Sequence, residues 1–147
     1  MTDDLLVPDL FWNTIGRMLL EAEEIYFHPN EGGSVIAAFK AASGDYVIFS
    51  RDLDSTEQNT PVERNPSREP GGVYLEVNEQ GWSCYDGIAS FSIYPGLIDV
   101  ALNSEGTDAV GHETIKVRYD LIPERRWQLR MVIRDVFEGF RNFADLG

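Results

Sequence analysis

The sequence predicts an α+β fold, a mostly antiparallel β-meander sheet covered on one face by a C-terminal amphipathic helix. Two patterns carry this prediction. Between residues 73 and 119, short segments alternate apolar with polar residues, the mark of strands with one buried and one wet face. The chain then runs through Leu129, Val132, Ile133, Val136, Phe137 and Phe140, spaced as one stripe of an α-helix that needs a sheet to cover. The 147 residues suit a single domain over 1–147, long enough to bury a core without staples.

The elements follow in order. Pro8 and Gly16 bracket a short helix or turn in which Leu10, Phe11, Thr14 and Ile15 share a face. Residues 18–27 are ambiguous: Leu, Glu and Ala favour helix, whereas Ile25-Tyr26-Phe27 favour a strand that stops at His28-Pro29-Asn30. The runs Val35–Lys40 and Tyr46–Phe49 flank Ser43-Gly44-Asp45 and predict a hairpin. Residues 52–72 hold Pro61, Pro66, Pro70, Gly71 and Gly72 among polar residues, which predicts a long loop, either a plain insertion or a segment that orders on contact.

Strand texture returns with Val73, Leu75 and Val77, and Glu79-Gln80-Gly81 is expected to turn the chain into a short strand at Trp82–Tyr85. Asp86-Gly87 is a turn dipeptide. Ala89, Phe91 and Ile93 form the next inward set, followed by the turn Pro95-Gly96 and by Ile98, Val100 and Leu102. Residues 104–111 predict a capped turn of helix ending at Gly111, and Ile115, Val117 and Tyr119 another strand. Pro123 and Glu124 open the last helix, with Arg126, Arg130, Arg134 and Asp135 off its apolar stripe and facing water.

Charge narrows the partners. Twenty-five acids against twelve bases give −13. Five arginines against Glu124, Asp135 and Glu138 leave residues 124–141 at +2, so the remainder carries −15. Such a body repels nucleic acid and anionic lipid and attracts basic surfaces; solubility alone explains it equally well. An acidic start and the lack of an apolar run near the ~18 residues of a membrane span lead to the expectation of a soluble cytoplasmic protein with no membrane or nucleic-acid partner.

Catalytic templates fail on residue count or spacing. No glycine-rich phosphate cradle is present, and His28 and His112 stand far apart without a ligand spacing. Asp52–Glu57 begins like a calcium loop but lacks glycine at its sixth position. The single cysteine, Cys84, excludes an internal disulfide and is expected to be a buried inert thiol. The expectation is therefore no enzyme, no cofactor and no metal. What remains is a surface: Tyr74, Glu76, Glu79, Trp82, Tyr85 and Asp86 join large aromatics to acids, the residue types of an interface for a basic partner. The simpler alternative places Trp82 in the core and leaves the acids as a solvated face.

The run Gly72-Val73-Tyr74-Leu75-Glu76-Val77-Asn78-Glu79-Gln80-Gly81-Trp82-Ser83-Cys84-Tyr85-Asp86-Gly87-Ile88, with the short helix, strand and closing helix that follow it, resembles the immunity protein 10 family over residues 72–143 and more loosely over 18–51. The resemblance implies a bacterial antitoxin of a polymorphic toxin system, which binds a cognate toxin domain and blocks it without catalysis. Many such toxins are nucleases, whose basic surfaces an acidic inhibitor can meet as a phosphate mimic. Two other readings stay open: a small-ligand or regulatory module with a pocket between sheet and helix lined by Trp12, Trp82 and Tyr85, and a hydrolase with a carboxylate site. An open sheet edge also leaves a homodimer available.

Overall fold

A computed structural model describes residues 16–53 and 72–147. The helix expected over 8–16 and nearly all of the loop expected over 52–72 lie outside the described residues, as does Trp12. Among the described residues the fold is mixed α+β, with one large sheet and two helices.

Nine strands form the sheet: β1 (Arg17–Glu31), β2 (Ser34–Ala41), β3 (Tyr46–Asp52), β4 (Val73–Val77), β5 (Glu79–Tyr85), β6 (Ile88–Tyr94), β7 (Leu97–Leu102), β8 (Thr114–Arg118) and β9 (Phe143–Asp145). Their order is β5-β4-β3-β2-β1-β8-β7-β6-β9, antiparallel except for the β1–β8 and β6–β9 pairs. The long first strand serves two partners. Arg17–Glu21 pair with β8, and residues from Ala22 onward pair with β2. The register shifts between Ala22 and Glu24, at the change of partner, where a bulge bends the strand. Residues 18–27 are thus strand throughout. Their helix propensity amounts to a few tenths of a kcal/mol per residue, and a ladder on either side outweighs it.

The sheet folds back on itself. Five strand spacings separate β3 from β6, about 24 Å in a flat sheet, yet the rings of Phe49 and Phe91 lie 5.3 Å apart and edge to face. The two-residue link Asp86-Gly87 joins β5 to β6 although they stand near opposite ends of the strand order. Two halves, β5–β1 and β1–β9, therefore face each other across a core of Phe39, Phe49, Leu75, Phe91, Ile93, Ile98, Ile115 and Val117.

Helix α1 (Ser104–Val110) is capped by Asn103, whose side chain accepts from Gly106 N at 2.9 Å, and ends at Gly111 with φ 81°. Helix α2 (Pro123–Val136) buries Leu129, Val132, Ile133 and Val136, and it packs on β1, β2 and β3. Phe137, just past its end, sits 4.1 Å from Phe91 and 6.3 Å from Phe49 and so joins both halves. At the same end, buried Arg51 donates from Nε to the carbonyl of Asp135 at 3.0 Å, satisfying a terminal carbonyl and opposing the dipole's negative pole.

Several local expectations shift. The β4–β5 turn falls at Asn78, with φ 66°, rather than at Glu79-Gln80-Gly81, which lie in β5. Asn78 tolerates this backbone and is anchored on β3: its Oδ1 accepts from Tyr46 N at 2.8 Å. A register shift between Ile88 and Ser90 buries Ile88 in place of Ala89. Gly139 lies beyond the helix, with φ 81°. Arg130 is half-buried rather than water-facing, because β9 brings Asp145 to its fork, with Nε–Oδ1 at 3.0 Å and Nη2–Oδ2 at 3.2 Å.

Candidate binding face

The inner rows of β1–β5 are consumed by the core, so the outward rows decide what this half can meet. Strand register places them. One row runs Tyr26, Ala38, Ile48, Glu76, Ser83, and the next His28, Ile36, Ser50, Tyr74, Tyr85. Glu24, Lys40 and Tyr46 form a third. Four tyrosines and two isoleucines thus occupy a face that neither of the described helices covers, and Tyr26 is 47% exposed. Glu24, Ile25, Tyr26, Ala38, Phe39, Lys40, Tyr46 and Ile48 line a shallow, largely apolar groove of about 390 Å³ on this side.

The outward face of the other half differs. Leu19, Ser90, Ser92, Asp99, Ala101 and Lys116 occupy it, with Ser92, Asp99 and Lys116 in one row and Tyr94, Leu97, Arg118 and Glu21 in the next. Among the described residues it carries one tyrosine against four, with Arg118 and Glu21 paired at 3.4 Å; a tyrosine-rich sheet face suits a partner, because tyrosine contributes area at low entropy cost and is enriched at interface centres.

Glu76 sits at the middle of the aromatic face. Its Oε2 accepts the hydroxyl of Tyr46 at 2.5 Å, and its Oε1 accepts that of Tyr74 at 2.6 Å. The ring of Tyr85 lies 5.1 Å from that of Tyr74. The hydrogen bond to Glu76 pushes Tyr46 up to about 12, with burial and the Glu76 and Glu79 charges acting the same way. Burial, then the bond to Glu76, raises Tyr74 above the usual phenol range. Both phenols therefore keep their protons at neutral pH. The cluster holds a carboxylate in place.

The residues singled out from sequence separate. Tyr74, Glu76 and Tyr85 come together on this face, and Glu79 is near enough for its charge to act on Tyr46. Trp82 is 43% exposed rather than in the core, and strand alternation puts it on the opposite side of edge strand β5 from Ser83 and Tyr85. Asp86 adopts φ 60° in the β5–β6 turn, its carboxylate against Gly72. Tyr85 and Trp82 do not converge between sheet and helix, where the phenylalanines fill the space. Cys84 packs against the core, and burial raises its thiol pKa, which keeps it protonated.

Tyr26, Ile36, Ala38, Tyr46 and Ile48 escaped sequence reasoning. The signal was present: Val35–Phe39 and Tyr46–Phe49 are apolar at nearly every position, so both faces of β2 and β3 are apolar. Comparison of the chain with protein-family models, with curated proteins and with solved structures gives no match. Among the described residues, no helix is long and apolar enough to cross a membrane.

Proposed function

We propose that this chain is an immunity protein, which binds a cognate bacterial toxin domain and neutralises it by non-catalytic occlusion, and that the outward face of β1–β5 is its contact surface. The observation that carries the reading is the contrast between the two outward faces, one with four tyrosines around a fixed carboxylate and the other with Tyr94 among small, aliphatic and charged side chains. The resemblance of residues 72–143 to the immunity protein 10 family supports the role, and the net charge of −13 supports a basic target such as a nuclease, whose phosphate-gripping surface an acidic inhibitor can cover. The protein then acts in the cytoplasm of the producing cell, where the toxin is made.

The test is co-expression with the toxin domain encoded beside this gene, reading both survival and co-purification, with charge reversal at Glu76 and Glu79. Reversal is expected to abolish protection and to slow association by about tenfold or more at low salt, as steering predicts. Asp99→Lys on the other outward face is the control, matched in charge to Glu76→Lys alone, and is expected to protect like the natural chain. Protection that survives reversal of Glu76 and Glu79, or that fails with Asp99→Lys instead, places the contact elsewhere.

A further inference from the structure

Both oxygens of the Glu76 carboxylate are engaged by neutral donors, at 2.5 Å from Tyr46 and 2.6 Å from Tyr74. The two phenols fix its plane but bring no positive charge. No ion pair joins Glu76 to a basic side chain among the described residues. Lys40, the cation of this face, stands directly across from Glu24. Glu79 adds a second negative charge within range of Tyr46. The result is an oriented carboxylate, uncompensated among the described residues, on a sheet face that neither described helix covers, flanked by the rings of Tyr46, Tyr74 and Tyr85.

That combination matches one chemistry. A carboxylate has about four lone-pair directions, and two phenols use two of them. A guanidinium presents N–H donors in a planar fork that fits the remaining directions, and its weakly hydrated plane lies well against aromatic faces. An ammonium supplies the charge without the fork or the plane. A Tyr–Glu–Tyr cluster on two neighbouring strands with no ligand is the simpler account, the side-chain contacts serving only the sheet. The two accounts differ in what a free guanidinium does.

We propose that Glu76, held by Tyr46 and Tyr74, receives an arginine side chain of the protein partner, with the guanidinium on the carboxylate and its plane among the tyrosine rings. This rests on the outward face of β1–β5 being the contact surface and names the group that the face recognises.

The probe is Nα-acetyl-arginine amide, titrated into the full chain while the aromatic side-chain resonances of Tyr46 and Tyr74 are followed by NMR, assigned with Tyr46→Phe and Tyr74→Phe. The control is Nα-acetyl-citrulline amide, of the same shape but uncharged. Saturable shifts at both tyrosines are expected with arginine amide, with a Kd in the roughly millimolar range for so small a ligand. Binding is expected to be about tenfold or more weaker for citrulline amide and for Glu76→Gln. Tyr46→Phe, which keeps the ring but frees one carboxylate oxygen, is expected to weaken binding severalfold. Lysine amide is expected to fall between arginine and citrulline. An equal response to citrulline, a Glu76→Gln response equal to that of the natural chain, or shifts that grow without saturation overturn the proposal. A Glu76→Gln chain that unfolds earlier in urea yet still binds arginine amide overturns it too. If arginine amide binds at Glu76 but no toxin domain is neutralised, the cation site stands and the immunity reading falls. If reversal of Glu76 and Glu79 abolishes protection while arginine amide leaves the tyrosines unmoved, the contact face stands and the arginine does not.

Discussion

Replacing Gly106 by alanine sets two effects of opposite sign against each other. Alanine inside a helix is favoured over glycine by up to about 1 kcal/mol. At this position, however, α1 rests directly on the β5–β6 turn. An added Cβ would lie 2.2 Å from the carbonyl oxygen of Gly87, 2.9 Å from its carbon and 3.0 Å from its Cα, all backbone atoms that cannot swing away. Relief to an ordinary contact near 3.4 Å requires α1 to lift by roughly 1 Å. The lift is resisted by the bonds that tie the helix start to the turn: Asn103 N donates to Gly87 O at 3.0 Å, and Asn103 Nδ2 donates to Asp86 O at 2.9 Å. Overpacking costs about 1–3 kcal/mol, and weakening two such bonds adds about 1 kcal/mol. Both exceed the propensity gain, so Gly106→Ala is expected to destabilise by a net 1–3 kcal/mol or so. Urea unfolding checks this through a lower midpoint at unchanged slope. A variant as stable as the natural chain, or more stable, refutes the close packing of α1 on the turn. Gly111→Ala separates the mechanisms, because nothing lies within 4 Å of a Cβ there and only its φ of +81° opposes the change.

Arg51→Met is expected to cost about 2–4 kcal/mol, because the last carbonyls of α2 lose a buried donor, while Glu138→Ala, on its exposed partner 3.7 Å away, is expected to change stability by under about 1 kcal/mol; urea midpoints of the two variants decide. His112 gives a pH dependence. Burial lowers its pKa below the usual 6.5, with Asp45 opposing weakly, and its Nδ1 is buried without a hydrogen-bond partner. A depressed folded-state pKa means that the unfolded chain takes up the proton first. The contribution is therefore fully present above about pH 6.5 and is lost as pH falls through the folded-state value. The unfolding midpoint is expected to fall between pH 7.5 and 5, with a shallower slope in His112→Gln, and an identical slope in the variant refutes the assignment.

The parts of the fold legible in sequence are those set by period. Val73, Leu75 and Val77, then Ile98, Val100 and Leu102, then Ile115, Val117 and Tyr119 all point inward, because alternation on a half-buried strand is local. The stripe Leu129, Val132, Ile133, Val136 is equally local. What was not legible depends on distant pairing. Nothing in residues 17–21 announces a parallel partner almost a hundred residues away in β8, nor in Phe143–Asp145 a ninth strand beside β6. A bulge also breaks the pattern: the shift at Ile88/Ser90 puts Ile88 where Ala89 would lie, and Trp82, next to the stretch where β5 slips against β4, is 43% exposed. The candidate face was half legible for the same reason. Tyr74, Glu76 and Tyr85 stand within twelve residues of one another, but the second phenol on Glu76 comes from Tyr46, thirty residues upstream and one strand over.

The charge that suggested a basic partner cannot by itself locate the interface. A chain at −13 is steered toward any basic surface, whichever side makes contact, so a salt-dependent association rate is expected of many orientations. Position enters only through screening. At physiological ionic strength the Debye length is about 8 Å, while two packed sheets alone are about 10 Å apart before their outward side chains are counted. Glu76 and Asp99 point away from each other on opposite halves. Glu76→Lys and Asp99→Lys each change the net charge by the same two units, so they alter long-range steering alike. A partner seated on the tyrosine face feels the first at contact distance and the second only through salt. The difference between the two variants, measured at 0.15 M ionic strength, isolates the local electrostatics of the face from the charge of the whole molecule, and a difference near zero means that the face is not where the partner sits.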